Sequence, residues 1–163
     1  MSTVLGVKDL SAVLENLAKY DFQKPLRKSV LLVQATARNY VPVNHEELKG
    51  SIFGEVQGNT GIVYTNKEYA EYVEFGTGPV GAADHAGISP EVSPAYSQTD
   101  WWFHESQIDP RDAEKYHFFH IDTEDGRFYR SYGQAAQPYM YPALKDNEEN
   151  IEEIFNDELE GLL

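Results

Sequence analysis

The sequence predicts an α+β fold, an antiparallel β-sheet packed by a long N-terminal helix and a C-terminal helix, with a long inserted loop. Three observations predict it. Apolar residues recur at helical spacing near both ends of the chain, and short runs rich in Ile, Val, Phe, Trp and Tyr lie between them, separated by Gly, Asn and Asp. Residues 80–100 are rich in Gly, Ala, Ser and Pro and show no period. At 163 residues the chain is read as one domain, 1–163, long enough to bury a sizeable core.

Met1 to Lys8 reads as a loose terminus, with Asp9 as an N-cap. Leu10, Val13, Leu14 and Leu17 follow at i, i+3, i+4, i+7, an amphipathic helix ending near Tyr20. A further helical piece opens near Pro25, tolerated in a first turn, carries Leu26, Val30, Val33 and Ala37 on one stripe, and stops at Val41-Pro42. One kinked helix and two separate helices both fit. Lys24, Arg27, Lys28 and Arg38 gather on this segment, either as a solvated face or as a seam for an acidic neighbouring subunit.

Asn44-x-x-Glu47 has the form of a capping box, which places one helical turn over 45–49. Ser51 to Gln57 and Ile62 to Thr65 read as a β-hairpin joined by Gly58-Asn59-Thr60-Gly61, with Ile52, Gly54 and Val56 on the face that meets the long helix. Then comes the stretch that organises the chain, Glu68 to Pro79. Tyr69, Tyr72 and Val73 share one helical face, and Ala70, Glu71 and Glu74 fall elsewhere. Gly76 and Gly78 supply flexible joints, and Pro79 bars Gly78 from helical geometry, so the chain turns sharply.

Val80 to Thr99 reads as an extended loop that is either disordered or ordered by a partner, with order on assembly favoured because it is neither highly charged nor repetitive. Trp101-Trp102-Phe103-His104, Tyr116 to Ile121 and Arg127 to Tyr132 read as strands, giving a sheet of about four to six strands in all. Trp101 and Trp102 must point to opposite faces, so one of them is left for another subunit or for a loop of the same chain. Asp109-Pro110 and Glu124-Asp125-Gly126 mark turns. Gly133 to Tyr139 is an extended connector, and Pro142 opens an acidic C-terminal helix over 142–160. Leu144, Ile151, Ile154, Phe155, Leu159 and Leu162 form its apolar side, and seven acids crowd the rest. Those acids repel one another and oppose the negative end of the helix dipole, so packing must hold the helix.

Three blocks carry a family resemblance: Tyr40-Val41-Pro42-Val43-Asn44-His45-Glu46-Glu47-Leu48-Lys49-Gly50-Ser51-Ile52, then Tyr69 to Thr77, then Gly133 to Leu144. In that order, with flanking helices, the chain resembles the tail-component and head-tail joining family of long-tailed bacteriophages, whose members run "APVDTGxLRxSI", "YAxYVEFGT" and "GQPPxPFLxPAL". The likeness spans nearly the whole chain. It departs where Asn44, His45 and Glu46 replace Asp-Thr-Gly, and in a longer segment between Pro79 and Gly133.

The resemblance implies a virion structural protein at the head-tail junction or tail. It would form a homo-oligomeric ring with no enzymatic activity and no cofactor, assembled in the host cytoplasm beside connector, tail-terminator or tail-tube proteins. Within that reading the residues expected at subunit or neighbour contacts are Tyr69, Tyr72, Glu74, Phe75, Gly76, Thr77, Trp101, Trp102, Gln137, Pro138, Tyr139 and Tyr141. Eleven tyrosines fit such contacts, since the ring buries while the hydroxyl stays wet.

The formal charge of −14 argues against binding nucleic acid by phosphate neutralisation. It suits either solubility or an acidic channel wall along which DNA passes without specific binding. Cysteine is absent, so no disulfide or thiolate zinc site is expected. With no charged-then-apolar leader and no apolar run near the roughly 20 residues of a membrane span, a soluble protein is expected.

Two further classes stay open. His104, His117 and His120 lie among Glu105, Asp109, Asp122 and Glu124, as a metal-dependent hydrolase would need, yet in one strand His117 and His120 would face opposite sides. Exposed Trp and Tyr would also suit a carbohydrate-binding module. No Gly-x-Ser-x-Gly or phosphate-binding loop is present.

Overall fold

The computed structural model describes residues 3–160. It confirms an α+β chain with antiparallel sheets, which divides into two compact units, residues 1–67 with 142–163, and residues 68–141. The single sheet of four to six strands is corrected to two separate sheets of two and three strands.

In the first unit, α1 (Thr3–Lys19) and α2 (Gln23–Tyr40) are separate helices. α1 begins before Asp9, so that residue does not cap it. α2 starts two residues ahead of Pro25, which is buried in its first turn, and ends at Val41 as the following proline requires. The hairpin pairs β1 (Ile52–Gln57) with β2 (Thr60–Thr65), Ile52 opposite Thr65 and Gln57 opposite Thr60. Its turn is two residues, Gly58-Asn59, shorter than expected, because Thr60 and Gly61 join the ladder.

α2 lies close on the hairpin face that carries Ile52 and Gly54. A Cβ at Gly54 or Gly61 would come within 2.5 or 2.6 Å of the Val30 methyls, so both positions must be bare for the helix to approach. Gln34 and Arg38 fix the register by donating to the Ile52 carbonyl at 2.9 and 2.7 Å. Val30, Val33, Ala37, Val41, Leu48, Ile52 and Ala143 form the core; Leu48 and Ile52 are wholly buried, each contributing about 1.5–3 kcal/mol. α3 (Glu46–Gly50) starts from His45 and not from Asn44, and Glu47 binds Lys67 at 2.8 Å.

The acidic C-terminal segment is two helices, α7 (Met140–Lys145) and α8 (Glu148–Glu160). The break between them is held by the buried Asn147, whose side-chain amide donates to the Thr36 hydroxyl at 3.0 Å and the Ala143 carbonyl at 2.8 Å. α8 then runs antiparallel along α2: Tyr40 donates to Asp146 at 2.7 Å at one end, and Lys24 and Lys28 meet Glu158 at the other. Ile151, Ile154, Phe155 and Leu159 are half-buried, and Leu162 lies outside the described residues.

The second unit holds α4 (Ala70–Phe75), α5 (Gly78–Ala83), β3 (Trp101–His104), α6 (Pro110–Lys115), β4 (Phe119–Thr123) and β5 (Gly126–Ser131). Its sheet runs β3-β5-β4, all antiparallel, with Trp102 and Phe119 both opposite Arg130. One face packs Phe103, Phe118 and Tyr129 edge to face and tilted, with ring centres 5.4–6.2 Å apart. Asp109 caps α6 through the Arg111 amide at 2.8 Å, so Asp109-Pro110 opens a helix rather than a turn. Tyr116 to Phe118 are not strand: Tyr116 ends α6 and His117 has φ 51°.

Candidate functional site

The sharp corner after Phe75 is built from two sequence blocks that fold into each other. Gly76 (φ 75°) and Gly133 (φ 89°) bring Thr77 and Gln134 into an isolated antiparallel bridge, Thr77 donating to the Gln134 carbonyl at 2.9 Å and Gln134 returning a bond at 3.1 Å. No Cβ fits at Gly133, where it would overlap the Thr77 carbonyl, nor at Gly76, where it would lie 2.7 Å from the Ala136 nitrogen. The Gln137 amide donates to the Val73 carbonyl at 2.8 Å, and the Gln134 side chain to the Tyr72 carbonyl at 2.7 Å.

At the centre of this clasp Glu74 is buried, and its carboxylate accepts the amides of Tyr139, Met140 and Tyr141 at 2.7, 2.9 and 3.0 Å. Three backbone donors turned into the chain require an acceptor, and a carboxylate has the lone pairs for all of them. The inner face of α4 is therefore Ala70, Val73 and Glu74, so of the Tyr69, Tyr72 and Val73 set only Val73 is buried. Tyr72 points out and is 51% exposed.

This divides the expected contact residues. Glu74, Gly76 and Tyr139 are interior and hold the clasp, which corrects their assignment to a partner surface. Burial pushes the Tyr139 hydroxyl well above its usual pKa. Tyr69, Phe75, Thr77, Pro138 and Tyr141 are half-buried; Tyr72, Trp101, Trp102 and Gln137 are exposed.

The inserted loop is also corrected. α5 occupies its start, and within the chain itself Tyr96 donates to the Phe75 carbonyl at 2.8 Å and stacks on His85, whose ring nitrogen meets the Gly81 carbonyl at 3.0 Å. These contacts all lie within the chain.

The largest exposed apolar group in this unit lies on the sheet face opposite the Phe103 cluster. Strand alternation puts Trp102, Phe119, Ile121 and Arg130 on that side, and Tyr132 follows in phase. Trp102 touches Phe119 at 6.0 Å, and the Arg130 guanidinium lies 4.9 Å from the Tyr132 ring centre and 5.9 Å from that of Trp102. Asp100 neutralises Arg130 at 2.5 Å, and the arginine holds the Asp100 pKa below the ordinary carboxylate value. Phe119 is 62% exposed. Trp101 goes to the other face, its ring against Gly78. Phe119, Ile121, Arg130 and Tyr132 were missed by sequence reasoning; strand alternation from Trp102 through its cross-strand partners was the available signal.

The histidines do not behave as one strand's pair. His117 precedes β4, and with His120 it lines the same shallow hollow between α6 and the sheet, beside Glu114 and Arg127. His104 is engaged by the Ser106 hydroxyl at 2.8 Å and the Asp125 carbonyl at 3.1 Å. Among the described residues no group of three or more His, Asp or Glu side chains is placed to hold a metal ion.

The basic stripe of α2 is also used at home. Lys24 and Lys28 bind Glu158 of the same chain, Tyr20 donates to it at 3.1 Å, and these bonds hold the Glu158 pKa at about 2. Arg38 serves Ile52. Of the residues read as a solvated face or as a seam for a neighbour, Lys24 and Lys28 thus pair within the chain. Among the described residues no helix is long and apolar enough to cross a membrane.

No known family, characterised protein or solved structure matches the chain.

Proposed function

We propose that the protein is an architectural component of a long-tailed bacteriophage particle, a head-tail joining or tail-completion protein that assembles as a ring around the DNA path and catalyses no reaction. The observation that carries this reading is the clasp. Two of the three blocks that carry the resemblance, Tyr69 to Thr77 and Gly133 to Leu144, hold each other's backbone, through Glu74, the Thr77 to Gln134 bridge and glycines that admit no side chain. Such a motif builds a rigid corner and offers solvent no reactive group.

The aromatic sheet face around Trp102 supports the contact role, because a connected set of exposed rings flanking a neutralised arginine is what subunit interfaces enrich. Binding energy would come from burying those rings and Tyr72, with the acidic side of α8 left toward water or DNA. Connector, tail-terminator or tail-tube proteins are the neighbours this reading names, and the virion is its location. Peptide mass spectrometry of purified particles tests it: the chain should be present at a fixed copy number, and its absence overturns the assignment.

The same face favours a second reading, a carbohydrate-binding module, since Trp102 and Tyr132 beside a charged pair could stack on a sugar ring. Quenching of tryptophan fluorescence by glycans would select it.

A further inference from the structure

β4 is an edge strand: the sheet order is β3-β5-β4, no strand of the described chain pairs with its outer side, and every residue from Phe119 to Thr123 is exposed. Its backbone groups point alternately toward β5 and away from it. The Arg127 amide donates to the carboxylate of Glu105, which directly follows β3, at 3.1 Å, so the Arg127 backbone turns to the β3 side and not toward its partner Asp122. By the same alternation His120 and Asp122 turn their N–H and C=O groups out to the free edge, while Phe119, Ile121 and Thr123 turn theirs in to β5. Nothing blunts this edge, which holds no proline, no lysine and no bulge. The opposite edge, β3, is closed at His104, whose amide donates to the Gln107 side chain at 2.9 Å.

The order of residues in β4 selects a second β4 as the partner. In an antiparallel pairing about a two-fold axis through Ile121, His120 of each copy lies opposite Asp122 of the other, and these are the residues whose amides and carbonyls are turned outward. An imidazole thus meets a carboxylate on both sides of the axis. The Asp122 side chain is 65% exposed beside Arg127 and keeps lone pairs for that second donor. On the other face Ile121 meets Ile121, which carries the row of Trp102, Phe119 and Ile121 across the axis, and Phe119 lies against Thr123. Other registers fail: centring on His120 or on Asp122 sets two imidazoles or two carboxylates face to face, and pairing either residue with Ile121 offers outward groups to inward ones.

We infer that β4 is a self-association edge, which pairs antiparallel with β4 of a second copy and joins the two three-stranded sheets into one. Main-chain hydrogen bonds carry such a contact more than area does, as where an extended peptide adds to an exposed sheet edge. The −14 charge on each copy opposes it, so the pair is concentration-dependent. A two-fold contact closes on itself and builds no ring, so the pairing lies beyond the proposed function and does not rest on it.

Because the chain has no cysteine, single cysteines in the full chain report the register. Directly opposed residues of an antiparallel pair lie about 4.5–5.5 Å apart at Cα, within reach of a disulfide. On mild oxidation Ile121→Cys should therefore form a covalent dimer. Phe119→Cys and Thr123→Cys should not do so singly, but an equimolar mixture of the two should. In sedimentation across a hundredfold concentration range wild type should pass from one chain to two, whereas His120→Pro, which removes an outward N–H and no bond to β5, should stay one chain with an unchanged far-ultraviolet circular dichroism spectrum. His120→Asp tests the same pairing without a proline: it sets carboxylates face to face and should stay one chain, and mixing it with Asp122→Lys should restore association. A wild type that stays one chain throughout would leave the edge to a strand of another protein and overturns the inference. So does cross-linking of Phe119→Cys alone as fast as Ile121→Cys, or a His120→Asp variant that associates like wild type.

Discussion

Glu74 and Tyr139 are 65 positions apart, and the Glu74 carboxylate accepts the Tyr139 amide at 2.7 Å with both residues buried. The same carboxylate takes the next two amides as well. One acidic side chain thus ties the α4 corner to the connector after Gly133.

Glu74→Ala leaves three buried donors without an acceptor and should cost about 3 kcal/mol or more, since each orphaned group costs about 1–3 kcal/mol. Glu74→Gln keeps one acceptor oxygen but turns an amide NH₂ toward N–H donors, and should cost about half as much. Urea denaturation of both variants checks the order.

Gly133→Ala should destabilise by about 3 kcal/mol or more, because the left-handed backbone is strained for alanine and the new methyl overlaps the Thr77 carbonyl. Gly50→Ala, where nothing lies within 4 Å, should be neutral or stabilising by up to about 1 kcal/mol. Equal effects at the two positions, read from denaturant midpoints, would contradict the close approach.

The Glu158 carboxyl is held at about 2 by Lys24 and Lys28, below its ordinary 4.5. A depressed carboxyl stabilises the fold above its unfolded pKa and loses that contribution as pH falls through the folded one, so the loss spans pH 4.5 to about 2. Thermal melts across this window should fall less steeply for Glu158→Gln than for wild type.

Removing the Tyr96 hydroxyl takes away the bond to the Phe75 carbonyl. Tyr96→Phe should cost about 1 kcal/mol and speed amide hydrogen exchange across residues 84–99 more than elsewhere.

Trp102→Ala and Phe119→Ala remove exposed rings, so each should change monomer stability by no more than about 1 kcal/mol; under the proposed architectural role each should also weaken assembly into particles. A variant that incorporates into particles as well as wild type would remove the sheet face from the contact set.

Local pattern by itself determined the α+β class, the amphipathic helical stretches, the hairpin and the corner at Gly76, because helical and strand periods, proline and glycine act within a few residues of themselves; that the N-terminal stretch is two helices and not one kinked helix was decided by the structure. Which face of α4 turns inward was settled by three amides some 65 residues downstream, and spacing within α4 carries no trace of them. In the same way Lys24 and Lys28 read as an open basic stripe until Glu158 arrived from the far end of the chain. The aromatic face around Trp102 existed only once β3 and β4 had both paired with β5, since alternation says that a side chain has a face but register decides which others share it. Long-range pairing, and the need of buried donors and charges for partners, decided what short-range period left open.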